Sequence, residues 1–210
     1  MDYKTRMQQY LSDTEYAVRA LIDLIAAEER QLTQVENNYQ IAKNQEHHLY
    51  QQLLNSPFND DVTPAKEQAT FVDWANSQRE LTNLQNEIVL LKASIDAKSG
   101  SLGALCGALL QIAKQGVSLV YGGLNDCPNG RSIGCEKLKN IIWQGRNQSM
   151  HYEEVNLNQS VKNCFANLES TFGSNYSLTL HSRKNLAYHV IDLLEWKDYT
   201  KYEADMRTLL

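Results

Sequence analysis

Apolar side chains recur every seven residues along the N-terminal part of the chain. Two interleaved series of such positions run from about residue 8 to residue 54, and the charged Glu28 is their clearest defect. A sustained repeat of this kind predicts a coiled-coil seam rather than an ordinary surface helix. At 1.5 Å per residue, such a helix would be about 70 Å long. The first series comprises Leu11, Val18, Ile25, Leu32 and Tyr39, and the second comprises Thr14, Leu21, Glu28, Val35, Ala42 and Leu49.

The same repeat returns after a segment rich in turn-forming residues. Residues 55–64 hold two of the three prolines and predict a loop. A second helix is expected from about residue 64 to residue 98, and a short loop between two long helices favours an antiparallel hairpin. Ser99-Gly100-Ser101 breaks the pattern and is the predicted domain boundary. The repeating positions of the second helix are Trp74, Leu81, Ile88 and Ile95, with Leu84 and Leu91 in the alternate series.

Shorter amphipathic segments follow this boundary. Residues 102–121 predict a buried helix in which Gly103 and Gly107 would let a neighbouring element approach closely. No segment shows a strong strand pattern. Further helices are expected from about residue 134 to the mid-150s, with Gly145 as a weak point or kink, over residues 161–172, and from about residue 182.

These patterns predict an all-α protein with a coiled-coil helical hairpin arm over residues 1–98 and a helical bundle over residues 99–210. The low content of Pro and Gly, three and ten among 210 residues, agrees with long regular elements.

Charge is distributed unevenly between the two parts of the chain. Residues 1–99 hold nine Lys or Arg against fifteen Asp or Glu, a net charge of −6, and the rest hold eleven against ten, a net charge of +1. Contact with nucleic acid would therefore need a local basic patch in the second part.

The location and the cofactors of the protein can also be anticipated. The polar start of the sequence has no signal-peptide pattern, and the most apolar run, residues 102–124, is interrupted by polar side chains and better suits a buried helix than a membrane span. The four cysteines lack the CxxC spacing of metal ligands. We therefore expect a cytoplasmic protein with free thiols, no membrane contact, no metal and no cofactor.

Candidate chemistry lies in the stretch Arg146-Asn147-Gln148-Ser149-Met150-His151. The planar Arg guanidinium binds a phosphate through two parallel hydrogen bonds, and His exchanges a proton near neutral pH. Cleavage of RNA without a metal needs these two functions. Asn147, together with Lys139 and Arg131 nearby, is expected to bind or orient the RNA phosphate.

The spacing of Arg146 and His151 complicates this hypothesis. Five positions on a straight α-helix turn by about 500°, which leaves the two side chains roughly 140° apart. Either the helix is distorted near Gly145, or a second copy of the chain completes the site across a two-fold interface.

The stretch resembles the R-x(4–6)-H motif of HEPN-domain ribonucleases, including the polar residue that often follows the Arg. The resemblance covers about residues 100–200, and residues 1–98 would be an added arm. It implies a HEPN-like helical bundle and a metal-independent endoribonuclease that acts as a homodimer, with Arg146 and His151 of both chains in one composite site. Proteins of this family resemble toxins and effectors of bacterial defence against phage. One subgroup carries a modifiable Tyr two positions after the His, but here Tyr152 is adjacent and Glu153 takes that position.

A different class of function stays open. The acidic hairpin, and Glu153 and Glu154 beside the motif, also suit a non-catalytic helical adaptor or scaffold that binds a protein partner through residues 1–98.

Overall fold

The computed structural model describes residues 2–54 and 64–209, the side chains of residues 64–67 excepted, so residues 55–63 of the predicted loop at 55–64 lie outside the described residues. The chain is all-α, as predicted, and within the described residues the only sheet is a hairpin of two-residue strands. The elements in order are α1 (Tyr3–Leu54), α2 (Pro64–Tyr121), β1 (Ser132–Ile133), β2 (Glu136–Lys137), α3 (Leu138–His151), α4 (Gln159–Phe172), a 3-10 turn (Ser174–Tyr176), α5 (Ala187–Leu194) and α6 (Tyr199–Arg207).

The structure divides the chain into two compact units. One compact unit contains residues 1–29 together with residues 100–210, and the other contains residues 30–99. The predicted boundary at Ser99-Gly100-Ser101 coincides with the division between residues 99 and 100, but α2 continues through it without a break. The seven-residue series of Ile95 continues at Leu102 and Leu109, which are both buried. A continuous apolar repeat therefore outweighs the modest cost of one exposed glycine in a helix.

The unit of residues 30–99 contains two helical segments that run antiparallel. Lys98 Nζ donates to Gln31 Oε1 at 2.7 Å, and Gln85 Nε2 donates to Glu46 Oε1 at 3.4 Å. Residues later in α1 thus lie beside residues earlier in α2. The seven-residue positions of this unit are buried or half-buried, as a seam requires.

In the other unit, the first turns of α1 lie against the last turns of α2. The Tyr10 hydroxyl donates to the Ile112 carbonyl at 2.7 Å. The Tyr10 ring packs over Gly116, where an added Cβ would lie only 2.6 Å from a ring carbon. Tyr121 in turn donates to the Leu209 carbonyl, which fixes the end of the chain on α2.

The helix α3 is enclosed by three other helices. It contacts α2 where Ser149 meets Gly107, and α5 where Val190 meets Gly145. The close approach predicted at Gly107 is thus present. The buried Glu136 carboxylate, just before α3, accepts from Asn140 at 2.6 Å and from Asn167 of α4 at 2.7 Å.

Within the described chain, one helical segment, Gln68–Tyr121, contains an 18-residue window with a mean hydropathy of 1.3. Its length and composition would suffice to cross a membrane, but half of that window is buried inside the protein. The core helix of a soluble protein has the same properties, so the window is weak evidence for a membrane span.

Candidate functional site

The motif stretch forms the second half of α3. This helix begins after the extended backbone of Lys137 and buries Leu138, Ile141 and Ile142 on one face. α3 continues as a single α-helix through Gly145. This position is buried, and the lack of a side chain there leaves room for Val190. The predicted kink there is absent from the structure. His151 is the last residue of α3, where the helix dipole favours a positive charge.

Arg146 is a half-buried cation whose hydrogen-bond partners are neutral. Its Nε donates to Gln111 Oε1 of α2 at 2.5 Å, and its Nη1 lies 3.3 Å from Asn147 Oδ1. Among the described side chains, those of residues 2–54 and 68–209, no carboxylate forms a salt bridge with this guanidinium. A partly buried positive charge without a counterion is costly to hold, and it leaves donors for an incoming anion.

His151 is exposed and oriented by a carboxylate. Its Nδ1 lies 2.7 Å from Glu154 Oε1, in the turn that follows α3. Because an ionised carboxylate only accepts hydrogen bonds, Nδ1 carries the proton, and Nε2 of the neutral ring is left to accept one. A base held by a third group is the usual arrangement of a proton-transfer site. From the sequence alone, Glu154 is a nearby negative charge, and its spacing of three residues from His151 is the one signal that it could contact the ring.

Asn147 and His151 share one small cleft. They are one turn apart on α3 and line a cavity of about 160 Å³ together with Glu154, Asn156 and Asn158. Arg146 is absent from this lining and lies against α2. The structure therefore brings Asn147 and His151 together and directs Arg146 elsewhere, as the roughly 140° offset on a straight helix requires.

Lys139 and Arg131 do not take part in this cleft. Lys139 Nζ donates to the Cys127 carbonyl at 2.7 Å. Arg131 forms a two-pronged pair with the buried Asp205 carboxylate, at 2.6 and 3.0 Å, and this hydrogen bonding raises the pKa of the guanidinium. Both side chains thus form contacts that stabilise the fold, and neither lies in the cleft beside the motif.

A larger cavity of about 400 Å³ adjoins the cleft of His151. The two share Glu154 and Leu157 in their linings. The larger one also presents Lys162 of α4 and Arg183 of the segment before α5. Sequence reasoning singled out neither residue, because only the folded chain brings these segments together.

The three buried thiols are poorly suited to nucleophilic or metal chemistry, whereas Cys135 is exposed. Burial raises the pKa of Cys106 and Cys164 to about 12 and that of Cys127 to about 11, so these side chains stay protonated near neutral pH. In the part of the chain that the structure describes, no group of three or more His, Cys, Asp or Glu is arranged to hold a metal ion.

No protein-family model matches the chain, and no curated protein or solved structure matches it significantly. The molecule is thus characterised by its own features. It is an all-α protein in which one helix carries a half-buried Arg on one side and an Asn–His pair in a cleft on another.

Proposed function

We propose that the protein is a metal-independent endoribonuclease of the HEPN type, with Arg146 and His151 as its catalytic residues. The observation that carries the proposal is the state of these two side chains. Arg146 is half-buried with only amide oxygens as partners among the described residues, and His151 is oriented by Glu154 with Nε2 free. Arg146 therefore has donors available to bind an anion, and His151 is a base that a carboxylate holds in position.

In the proposed reaction, Nε2 of His151 accepts the proton of a ribose 2′-hydroxyl. The 2′-oxygen attacks the adjacent phosphorus, and the bond to the 5′-oxygen breaks as that oxygen takes up a proton from water. The products are a 2′,3′-cyclic phosphate and a free 5′-hydroxyl. Arg146 stabilises the negative charge that develops on the phosphate oxygens, and Asn147 orients the phosphate in the cleft.

The proposed enzyme is a homodimer, because one straight α3 does not direct Arg146 and His151 to the same point. Two copies related by a two-fold axis place the Arg of one chain near the His of the other. Exposed apolar side chains beside His151 support an interface there. Met150 is 57% exposed and Val155 is 77% exposed.

The cellular role that suits this activity is that of a cytoplasmic toxin or effector that acts in defence against phage. It rests on the resemblance of the motif to HEPN ribonucleases. In this role, residues 1–98 would bind a protein partner that restrains or directs the nuclease.

The test is cleavage of a labelled single-stranded RNA by the purified full chain. His151→Ala and Arg146→Ala are each expected to lower the rate by a factor of about 10²–10⁴, the range for removal of a proton-transfer group or of a charge-stabilising donor. EDTA should leave the rate unchanged. The matched control is His47→Ala, which removes an exposed His on α1 and should cleave like the natural protein.

Full activity of a folded His151→Ala protein would exclude the proposed catalytic role. Loss of activity in EDTA would instead indicate a metal enzyme. Circular dichroism and thermal unfolding of each variant separate a lost site from a lost fold.

A second candidate function, a non-catalytic adaptor, is favoured by apolar side chains on the outside of α2. Phe71 and Val72 precede Val89 and Leu90 by eighteen residues, which is about five full turns, so the two pairs share one face. All four are at least 49% exposed. Recovery of a stoichiometric protein partner that is lost on Val89→Asp, with no RNA cleavage by the free or assembled protein, would favour this function.

A further inference from the structure

We infer that the larger cavity beside His151 binds one unpaired nucleotide of an RNA strand, next to the cleaved phosphate, and that Lys162 and Arg183 hold the phosphate of this nucleotide. The inference rests on the proposed ribonuclease function and adds a substrate subsite to it. Four observations support it: the position of the cavity, its free cations, the backbone of Arg183 and the remaining lining.

The cavity lies where the next nucleotide of a bound strand would extend. It shares Glu154 and Leu157 with the cleft of Asn147 and His151. A strand with one phosphate at His151 therefore has its neighbouring nucleotide at the entrance of the larger cavity. The volume of about 400 Å³ falls within the range of small-molecule sites.

The cavity is lined by two cations from separate segments, Lys162 and Arg183. Across the described side chains, residues 2–54 and 68–209, those of Lys162 and Arg183 form neither a salt bridge nor a hydrogen bond. By contrast, Lys197 pairs with Glu29 at 2.9 Å and with Asp192 at 2.8 Å. Two exposed cations from separate segments thus line one cavity, and their N–H groups are available to bind a phosphate.

The backbone at Arg183 is held in an uncommon conformation. Its φ of 58° lies in the left-handed region, which a non-glycine residue seldom adopts. The segment is fixed by buried Gln148 of α3, which donates to the Lys184 carbonyl at 2.7 Å and accepts from the Leu186 amide at 2.9 Å. The motif helix itself thus positions Arg183, and such local strain is typical of binding sites.

The rest of the lining fits a nucleotide better than a free inorganic anion. Tyr152 offers an aromatic ring on which a base can stack. Glu169 offers an acceptor for the N–H groups of a base and would repel a bare polyanion. His181 is held at the rim by a 3.1 Å hydrogen bond from its Nε2 to the Ser174 carbonyl.

The experiment measures binding of a labelled single-stranded RNA with 2′-O-methyl riboses, which lacks the attacking hydroxyl and is not cleaved. The test variant of the full chain is Lys162→Gln with Arg183→Asn, because Asn tolerates the left-handed conformation. The matched control is Lys184→Gln, an exposed cation in the same segment that does not line the cavity.

The double variant should raise the Kd about tenfold, the effect of one charge-assisted contact of about 1.4 kcal/mol. The slope of log Kd against log salt should fall by about 0.7, the value for one phosphate contact on a single strand. Lys184→Gln should change neither quantity. Equal thermal unfolding of the three proteins shows that all are folded.

The inference is overturned if the double variant binds like the natural protein, if Lys184→Gln weakens binding equally, or if the natural protein does not bind the RNA. Cleavage that depends on His151, with unchanged binding by the double variant, would overturn the subsite and keep the ribonuclease. Weakened binding by the double variant alone, without cleavage by the natural protein, would keep the subsite and remove the ribonuclease.

Discussion

At the scale of single residues, Arg131 and Arg146 differ in their hydrogen-bond partners. The partner indicates whether the cation stabilises the fold or is available to bind an anion. Arg131 and Arg146 lie fifteen positions apart and carry the same charge. Arg131 is matched to the buried Asp205, which also accepts from the Trp196 indole at 2.9 Å. Arg146 is matched to amides alone in the described structure. The sequence could not distinguish them, because Asp205 reaches Arg131 only through the fold.

Arg131→Gln should therefore affect stability and not RNA cleavage. Loss of one partner of a fully buried pair costs about 3–5 kcal/mol. The Arg131 side chain is 41% exposed, so solvent reduces the loss to about 1–3 kcal/mol. Urea unfolding measures this difference.

Arg207→Gln is the control, because it removes an exposed pair with Glu203 one turn away on α6 and should cost little. A stable Arg131→Gln protein with weak RNA binding would show that Arg131 does contact RNA, as the sequence alone suggested.

His189 on α5 makes stability depend on pH. Burial lowers its pKa below 6.5, the nearby His181 lowers it further, and Asp192 opposes the shift. The unfolded chain then binds more protons than the folded chain at mildly acid pH. The contribution of His189 is fully present above pH 6.5 and is lost as the pH falls from 6.5 toward the folded-state pKa.

The free energy of unfolding, measured by urea titration between pH 7.5 and 5, should therefore decrease as the pH falls. In His189→Asn, this part of the pH dependence should disappear even if the variant is less stable at every pH. An unchanged slope in His189→Asn would assign the effect to other groups.

At the scale of elements, the sequence predicted the seam well and the end of α2 poorly. Periodicity is a local property, so Leu81 and Ala42 were identified as interior positions without knowledge of the fold, and both are buried. Gly100 reads as a breaker because helix propensity is also local. Packing of the neighbouring residues outweighs this low helix propensity, and Leu102, two positions later, is buried.

The candidate site likewise contains residues that the sequence predicts and residues that only the fold brings together. Arg146, Asn147 and His151 could be found because they are close in sequence. Lys162 and Arg183 could not, because α4 and the segment before α5 meet the end of α3 only in the folded chain.

Gly100→Ala tests whether α2 is continuous. Gly100 is exposed and helical, and an added Cβ would meet no atom within 4 Å. Alanine should therefore raise the free energy of unfolding by about 0.5–1 kcal/mol. Gly116→Ala is the matched control on the same helix, since its Cβ would lie 2.6 Å from the Tyr10 ring, and overpacking should cost about 1–3 kcal/mol. A destabilised Gly100→Ala protein would favour the break that the sequence suggested.

At the scale of the whole molecule, the direction of the Arg146 side chain determines how many chains the proposed active site needs. Arg146 lies against Gln111 of α2, whereas His151 opens into the cleft that it shares with Asn147. If the Arg of one chain serves the His of another, two different inactive proteins can complement each other. A chain with Arg146→Ala still supplies a His, and a chain with His151→Ala still supplies an Arg.

Mixing the two inactive variants should therefore restore RNA cleavage. Random exchange of subunits makes about half of the dimers mixed, and each mixed dimer holds one intact Arg and one intact His from opposite chains. We expect activity well above that of either variant alone, rising with the fraction of mixed dimers, which native mass spectrometry of differently tagged chains can count. The control mixes His151→Ala with itself under the same conditions and should stay inactive. Mixed dimers that form and remain inactive would mean that the site needs its Arg and His from one chain, and the straight α3 would then have to change shape when RNA binds.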